Sequence, residues 1–386
     1  MLVTPAPWVF QTLAERYDSA VFEPSGGPRL VRLTVGADAS WDALLVDGGA
    51  HVLPAAGDAD ATLSADARTW RAIAEDGRAG MRAYLSGRLE IRRNLHLGVG
   101  FLAATSGHED PARLRFRTVA TRRARLSTLE AGSGPPVVAV HGLGGTKGSF
   151  LPTVAALAGG FRVIALDLPG FGDSDKPLAA AYDARYFAEV VVDLLDALDI
   201  ESAHLIGNSL GGRVVLEVGM RHPERAGRLA LLAPSLAWKR QRTLAPLLRI
   251  VRPELGLIQF TPRAVVGTIV HRLIPGADNG WAAAGVDEFL RAFHTPAGKS
   301  AFYAAARHIY LEAPNGSNGF WPRLGELQAD ALFIWGRRDR LVPIAFARHV
   351  AEALPAARHL ELDCGHVPQV ERPRETHAAI RAFLRT

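Results

Sequence analysis

HLIGNSLGGRVVLEVGMR, residues 204–221, sets a serine between two glycines at the junction of an apolar run and a helix-like stretch. The apolar run 204–206 is typical of a buried strand, and residues 212–221 are typical of a helix. A serine on such a junction has a strained backbone, and small residues two places before and after it let neighbouring chain pass closely. The hydroxyl of Ser209 is therefore expected to project clear of the sheet.

Short apolar runs alternate with longer helical stretches in this part of the chain. The strand-like runs are 137–140, 163–166, 204–206, 229–232, 331–335 and 359–362. Strands that alternate with helices predict a parallel sheet, and runs that are apolar at consecutive positions predict strands covered on both faces.

The alternation of strands and helices stops at residues 234–322, where helical segments are separated by prolines. We expect these residues to form an inserted helical cap. Most of the cap's large apolar side chains are expected to pack internally, and a minority to line a substrate pocket. They include Leu247, Leu248, Ile250, Leu257, Ile258, Phe260, Ile269, Phe289 and Phe293.

A serine nucleophile needs a base, normally a histidine held in one tautomer by a carboxylate. Among 13 histidines, His366 is favoured because it follows the last strand-like run and precedes the closing helix. Asp339 is the predicted carboxylate, since it lies in the turn after the run 331–335, and Asp363 is its rival. Backbone N–H groups of Leu143, in a glycine-rich turn, and of Leu210 are the expected donors to an oxyanion. His141 is expected to hydrogen-bond within its own loop.

These motifs together resemble the α/β-hydrolase family. The matches are H-G-x-G at His141, D-x-P-G-x-G-x-S from Asp167 to Ser174, the turn at Ser209, the turn at Asp339 and the G-H pair ending at His366. The resemblance implies an α/β fold with a mostly parallel sheet and an inserted cap. It also implies structural roles for Asp167 and Asp173, and a small buried thiol at Cys364.

The resemblance restricts the chemistry to that of a serine nucleophile without cofactor or metal. Dehalogenases and epoxide hydrolases of this fold attack with an aspartate, whereas this chain has Ser209. The Gly-Asn-Ser-Leu-Gly-Gly turn is similar to that of hydrolases that cleave a carbon–carbon bond in aromatic or steroid ring-fission products. Those enzymes often carry tryptophan after the histidine, where this chain has Val367. The sequence therefore favours a carboxylesterase or lipase-like enzyme acting on an ester with a sizeable apolar portion, with carbon–carbon cleavage as the alternative.

The N-terminal region carries no catalytic set. Its pattern predicts a helix over 7–18, strands at 30–35 and 43–52, and a further helix with Ser64 as its N-cap. The order of these elements, with Ser-Gly-Arg-Leu-Glu-Ile at 86–91, resembles a sterol carrier protein-like lipid-binding domain. We place this small α+β domain at residues 1–110 and the hydrolase domain at 111–386. A small domain for packing or oligomerisation is the alternative, and a lipid carrier with a vestigial hydrolase domain is a third hypothesis for the whole chain.

Composition excludes several other classes of protein. Of the 386 residues, 48% are hydrophobic and 22% are charged, which is typical of a globular protein with a large core. One cysteine allows neither an internal disulfide nor a thiolate metal cluster. A net charge of +5 without a nucleic-acid motif indicates no nucleic-acid partner. The sequence predicts a cytoplasmic protein without a transmembrane segment, for which peripheral contact with lipid is compatible, and it leaves the oligomeric state open.

Overall fold

The computed structural model describes residues 7–37, 39–107, 113–238, 262–277 and 280–385. The chain forms two compact units. The first comprises Met1–Arg117 together with Asp278–Arg291, and the second comprises Thr118–Ala277 together with Ala292–Thr386. The chain therefore leaves the second unit once, midway through the predicted cap, and then returns to it.

The first unit is an α+β fold around a five-stranded sheet in the order β3-β2-β1-β4-β5. Strand β1 pairs antiparallel with β2 and parallel with β4. Helix α4 is buried at every position except His96. The elements are α1 (Trp8–Glu15), β1 (Arg29–Val35), β2 (Ala39–Val46), β3 (Gly49–Pro54), β4 (Ala61–Ala65), α2 (Ala67–Glu75), α3 (Ala79–Leu85), β5 (Leu89–Arg92) and α4 (Leu95–Ala104).

Two local expectations for this unit are wrong. Residues 43–52 do not form one strand, because Asp47 and Gly48 have φ of 51° and 74° and turn the chain between β2 and β3. Positive φ at both central residues defines a two-residue hairpin turn. Ser64 is not a helix N-cap but lies within β4, and α2 is capped by Asp66, whose Oδ1 accepts from the N–H of Thr69 at 2.6 Å.

A helix from the predicted cap, α9 (Trp281–Phe293), completes the first unit along most of its length. Asp287 Oδ2 accepts from Arg92 Nε at 2.8 Å and from the N–H of Arg93 at 2.9 Å. Glu288 Oε1 accepts from the N–H of Leu95, the first residue of α4, at 2.7 Å. Two adjacent buried carboxylates on α9 therefore satisfy backbone donors that lie more than 190 residues earlier.

We expect Glu288→Ala to lower the free energy of unfolding by about 1–3 kcal/mol, because the buried N–H of Leu95 would lose its acceptor. Urea denaturation followed by circular dichroism measures this change. Glu90→Ala removes a half-exposed carboxylate of the same unit and should change stability by less than about 0.5 kcal/mol. Equal losses in the two variants would contradict the role given to Glu288.

The second unit contains an eight-stranded sheet in the order β13-β12-β11-β10-β8-β9-β7-β6. The strands are β6 (Arg115–Ala120), β7 (Arg125–Ala131), β8 (Pro136–Val140), β9 (Arg162–Leu166), β10 (Ala203–Asn208), β11 (Ala226–Leu232), β12 (Ala331–Gly336) and β13 (Arg358–Leu362). The six neighbouring strands β13, β12, β11, β10, β8 and β9 pair in parallel, and β7 pairs antiparallel with β9.

Helices separate the strands along the chain. They are α5 (Leu151–Leu157), α6 (Ala184–Ala197), α7 (Leu210–Arg221), α8 (Arg263–Leu273), α10 (Pro296–Leu311), α11 (Phe320–Leu324), α12 (Phe346–Ala353), α13 (Pro368–Glu371) and α14 (Pro373–Arg385). Central strands are buried along consecutive residues, with β8 fully covered over Val137–Val140. Helices on both faces of a parallel sheet explain such runs.

The predicted fold class is confirmed: a mostly parallel α/β sheet with an inserted helical segment follows a small α+β region. Of the predicted cap residues, Leu247, Leu248, Ile250, Leu257, Ile258 and Phe260 lie outside the described residues. Phe293 is buried at the end of α9, whereas Ile269 on α8 is half exposed. Among the helices described, none combines the length and hydropathy needed to span a membrane.

Candidate active site

Ser209 lies between β10 and α7 with φ of +54° and ψ of −116°, which is a strained conformation for a residue with a side chain. Glycine is required at positions 207 and 211 because other backbone atoms lie too close to leave room for a side chain. A Cβ added to Gly207 would lie 2.3 Å from the carbonyl oxygen of Gly211, and one added to Gly211 would lie 1.9 Å from that of Val140. The expected sharp turn between strand and helix is thus present.

His366 and Asp339 form a buried pair. His366 Nδ1 lies 2.7 Å from Asp339 Oδ2, and the other oxygen, Oδ1, accepts from the N–H groups of Leu341 at 2.8 Å and Val342 at 3.0 Å. Three contacts therefore fix the carboxylate. The rival Asp363 instead has a side chain that is 64% exposed and pairs with Arg338. The structure brings Asp339, rather than Asp363, to the histidine.

Asn208 links the histidine loop to the serine turn. Its Nδ2 donates to the carbonyl oxygens of Leu232 and His366, both at 3.0 Å. The N–H of Ser209 donates to the same carbonyl of Leu232 at 3.0 Å. Sequence reasoning missed this role, because the partners of a buried amide are distant in the chain and leave no local pattern.

The glycine-rich turn after β8 lies beside Ser209, since a Cβ added to Gly142 would lie 3.1 Å from the serine Cβ. His141 does not face the reaction centre as a free base. Its Nδ1 contacts the carbonyl of Gly142 at 2.7 Å, within its own loop as expected, whereas its Nε2 accepts from the N–H of Leu168, in the loop after β9, at 3.0 Å. Burial lowers the pKa of His141, which favours the neutral ring over the imidazolium.

The oxyanion-donor role of Leu143 and Leu210 stays a prediction, and the structure describes where the two residues lie. Leu210 is the first residue of α7, and the first N–H groups of a helix have no partner within it. Leu143 is half buried in the turn that approaches Ser209. The positive end of the α7 dipole lies at the same place and favours negative charge there.

A buried ion pair supports the loop after β9. Lys147 Nζ lies 2.6 Å from Asp167 Oδ2, which also accepts from the N–H of Asp173 at 2.9 Å. Burial alone would raise the pKa of Asp167, but the charge of Lys147 holds it below its usual value. Asp167 and the backbone of Asp173 thus shape this loop.

A charged cleft of about 300 Å³ runs along one face of α7. Its lining includes Leu210, Arg213, Glu217, Arg221, Glu312 and Arg323. Burial acts to raise the pKa of Glu217, but three arginines outweigh burial and lower it to about 2. The cleft is therefore ionic in character near neutral pH.

Two other chemistries receive no support from the described residues. Burial raises the pKa of the Cys364 thiol to about 12, so a thiolate nucleophile is unfavourable. In the ranges that the structure covers, no group of three histidine, cysteine or carboxylate side chains is arranged to bind a metal.

The fold and the serine turn define an α/β hydrolase. A family model described as the alpha/beta hydrolase fold matches residues 135–251. The chain is 30% identical over 268 residues to the 2-hydroxy-6-oxo-6-phenylhexa-2,4-dienoate hydrolase of Burkholderia cepacia, covering 64% of this chain and 86% of that protein. It is 33% identical over 277 residues to the 2-hydroxy-6-oxononadienedioate/2-hydroxy-6-oxononatrienedioate hydrolase of Paraburkholderia xenovorans, covering 67% and 90%.

Solved structures agree with this assignment. A membrane phospholipase A, described as a bacterial virulence factor, superposes with a TM-score of 0.60 at 30% identity, over 70% of this chain and 86% of that one. The enol-lactonase of Burkholderia xenovorans gives a TM-score of 0.60 at 23% identity over 70% and 100%, a likeness of fold alone. The chain belongs to the α/β-hydrolase family.

We expect Asp339→Asn to lower kcat by about 10⁴-fold, because an amide at this position favours the wrong tautomer of His366. Hydrolysis of p-nitrophenyl acetate by the purified variant measures the loss. Asp363→Asn is the matched control and should keep kcat within about twofold, as expected for an exposed carboxylate whose partners are Arg338 and Arg372. A larger loss in Asp363→Asn would show that the carboxylate is misassigned.

Proposed function

We propose that the protein is a serine hydrolase that cleaves a carbon–carbon bond in a 2-hydroxy-6-oxo dienoate, a ring-fission type of compound. Ser209 is the nucleophile, His366 the base and Asp339 its orienting carboxylate. The N–H groups of Leu143 and Leu210 bind the oxyanion. No cofactor or metal takes part in these steps.

The buried His366–Asp339 pair carries this proposal. The two side chains are 2.7 Å apart, and the backbone carbonyl of His366 accepts from Asn208, the residue before Ser209, so a hydrogen bond joins the loop of the base to the turn of the nucleophile. This arrangement occurs in a chain that is 30–33% identical to two hydrolases named for dienoate substrates.

The proposed reaction proceeds in two stages. Ser209 Oγ adds to the ketone carbon while its proton passes to His366, and the backbone donors stabilise the oxyanion. The dienol has by then tautomerised to the 2,6-diketone, in which the 2-hydroxyl proton has been lost and C5 has gained a proton and become saturated. Collapse of the adduct breaks the bond between C5 and C6, and the electron pair becomes a dienolate conjugated with the 2-oxo group of the departing fragment. That fragment takes the proton from His366. Water then adds to the acyl-enzyme and releases a carboxylic acid and free Ser209.

The relatives favour this reaction over the lipid-like ester that the sequence suggested. The preference for an ester rested on Val367, a position at which carbon–carbon hydrolases often carry tryptophan. Similarity to the dienoate hydrolases over at least 64% of the chain outweighs this one position.

We expect the enzyme to consume 2-hydroxy-6-oxo-6-phenylhexa-2,4-dienoate with loss of the visible absorbance of the dienol. Ser209→Ala should lower kcat on the order of 10⁶-fold, as in other serine triads. Ser317→Ala, an exposed serine, is the control and should match the wild type. A 6-oxononadienedioate run in parallel distinguishes a phenyl from a second carboxylate as the favoured group.

Turnover in Ser209→Ala close to that of the wild type would show that another residue is the nucleophile. Labelling with a fluorophosphonate separates the enzyme from the lipid-carrier hypothesis, because an activated Ser209 reacts and a vestigial site does not. Failure to label the folded wild-type protein would favour the carrier.

Ester cleavage is the second candidate, favoured by the similarity to a phospholipase A at 30% identity. The same residues would act, with an alkoxide as the leaving group. A panel of p-nitrophenyl esters from two to sixteen carbons discriminates the two reactions. A kcat/KM for any ester above that for both dienoates would replace the carbon–carbon assignment.

For the N-terminal domain, residues 1–110, we propose the sterol carrier-like role of binding an apolar chain. The support for this role is the resemblance of the order of its elements, and of Ser-Gly-Arg-Leu-Glu-Ile at 86–91, to such lipid-binding domains. In Ser209→Ala protein, hexadecanoate should bind roughly 10²-fold more tightly than dodecanoate, since each buried methylene contributes about 0.8 kcal/mol. Displacement of a fluorescent fatty acid measures both affinities, and equal affinities would favour a packing role.

A further inference from the structure

A single buried carboxylate, that of Glu371 at the end of α13, holds both peptide groups beside His366. Its Oε2 accepts from the N–H of Gly365 at 2.9 Å, and its Oε1 accepts from the N–H of Val367 at 3.1 Å. The residue is only 4% exposed. Since a carboxylate forms stronger hydrogen bonds than a neutral acceptor, the loop that carries His366 is held on both sides.

The same carboxylate also reaches the chain that follows α8. Glu371 Oε2 accepts from the N–H of Gly276 at 3.0 Å. The N–H of His366 donates to the carbonyl of Leu273, the last residue of α8, at 2.8 Å. A Cβ added to Gly365 would lie 2.5 Å from that carbonyl oxygen, so the two segments are in direct contact.

These contacts account for every backbone hydrogen-bonding group at the histidine. Its N–H is bound by Leu273, its carbonyl by Asn208, and the neighbouring N–H groups by Glu371. We propose that Glu371 is a positioning residue that fixes His366 and couples it to the end of α8. The proposal rests on the catalytic role given to His366, and Glu371 itself touches no reacting atom.

The coupling follows from shared acceptors. Because Oε2 serves both Gly365 and Gly276, a displacement of the segment after α8 must strain or break a bond that also holds the histidine loop. α8 lies within the predicted cap region. A displacement of its end would therefore act on His366 through two hydrogen bonds, one from Gly276 to Glu371 and one from His366 to Leu273. Substrate entry that shifts this segment would thereby alter the alignment of His366.

Glu371→Gln tests the positioning role, because the amide keeps the shape of the side chain but its nitrogen cannot accept from an N–H. We expect kcat to fall on the order of 10²-fold, the effect of a misplacement near 1 Å, while KM changes less than about threefold. Glu371→Asp keeps the charge and should recover part of kcat. Glu375→Gln, an exposed carboxylate on α14, is the matched control.

Trypsin cleavage after Arg272 in α8 tests the coupling. It should be faster in Glu371→Gln than in the wild type and unchanged in Glu375→Gln. Circular dichroism must show both variants folded at the assay temperature. A folded Glu371→Gln with wild-type kcat would overturn the positioning role, and lost kcat with unchanged cleavage would overturn the coupling to α8. Activity of Ser209→Ala or absence of fluorophosphonate labelling would instead indicate failure of the proposed function.

If Glu371→Gln proves unfolded, the opposite side of the contact provides the test. Gly276→Pro removes the N–H that donates to Glu371 Oε2. Gly276→Ala keeps this N–H and adds only a Cβ 3.2 Å from the same oxygen, and is therefore the control for crowding. Under the proposal Gly276→Pro loses kcat with little change in KM and becomes sensitive to trypsin. Wild-type kcat in folded Gly276→Pro would overturn the coupling.

Discussion

The strained backbone of Ser209 is the constraint on which the rest of the site depends. A φ of +54° is tolerated because two glycines let the start of α7 pack against β8 and β10 at distances that no side chain would permit. The helix N-terminus, the glycine-rich turn and the hydroxyl are consequently brought to one point. Strain of this kind persists only where the surrounding structure over-determines it. Here the surrounding structure is the fully buried centre of the sheet.

Buried charges provide the second level of order, and the three that order the loops of the second unit each have an ion-pair or hydrogen-bond partner. Asp167 with Lys147 holds the loop after β9, Glu217 gathers three arginines beside α7, and Glu371 binds backbone donors around His366. Burial of an unpaired charge costs far more than it returns, so such groups stabilise only complete arrangements. The loops of this unit are thereby confined to narrow sets of conformations, as catalysis by a preorganised site requires.

The sequence predicted those features that depend on local pattern or on the edge of a parallel sheet. The strands at 137–140 and 331–335 could be predicted because consecutive apolar residues are typical of strands covered on both faces. Ser209, Asp339 and His366 follow different strands, and the carboxyl ends of neighbouring parallel strands meet at one edge of the sheet. Their catalytic roles stay predictions, whereas the proximity of Asp339 to His366 is observed.

Features that depend on distant partners could not be predicted in this way. Asn208, Glu371 and Glu288 bind backbone groups, and no side-chain pattern in the sequence records which N–H or carbonyl lacks a partner. The assignment of residues 278–291 to the first unit could not be predicted either, because it too depends on partners that are distant in the chain. The hairpin at Asp47 differs, because Asp-Gly is a recognised turn signal and a strand run of 43–52 overlooked it.

The choice between a carbon–carbon bond and an ester depends on groups outside the triad. Serine attack and oxyanion stabilisation are the same for a ketone and an ester, and the two reactions diverge only when the leaving group departs. An alkoxide takes its proton on oxygen, whereas a departing dienol fragment takes it on carbon or through its conjugated oxygen. In the proposed reaction the direction in which His366 delivers the proton therefore matters as much as its basicity. Asp339, Asn208 and Glu371 together fix that direction, because each binds a different part of the histidine or of its peptide groups. Specificity for the reaction would then depend on these three contacts.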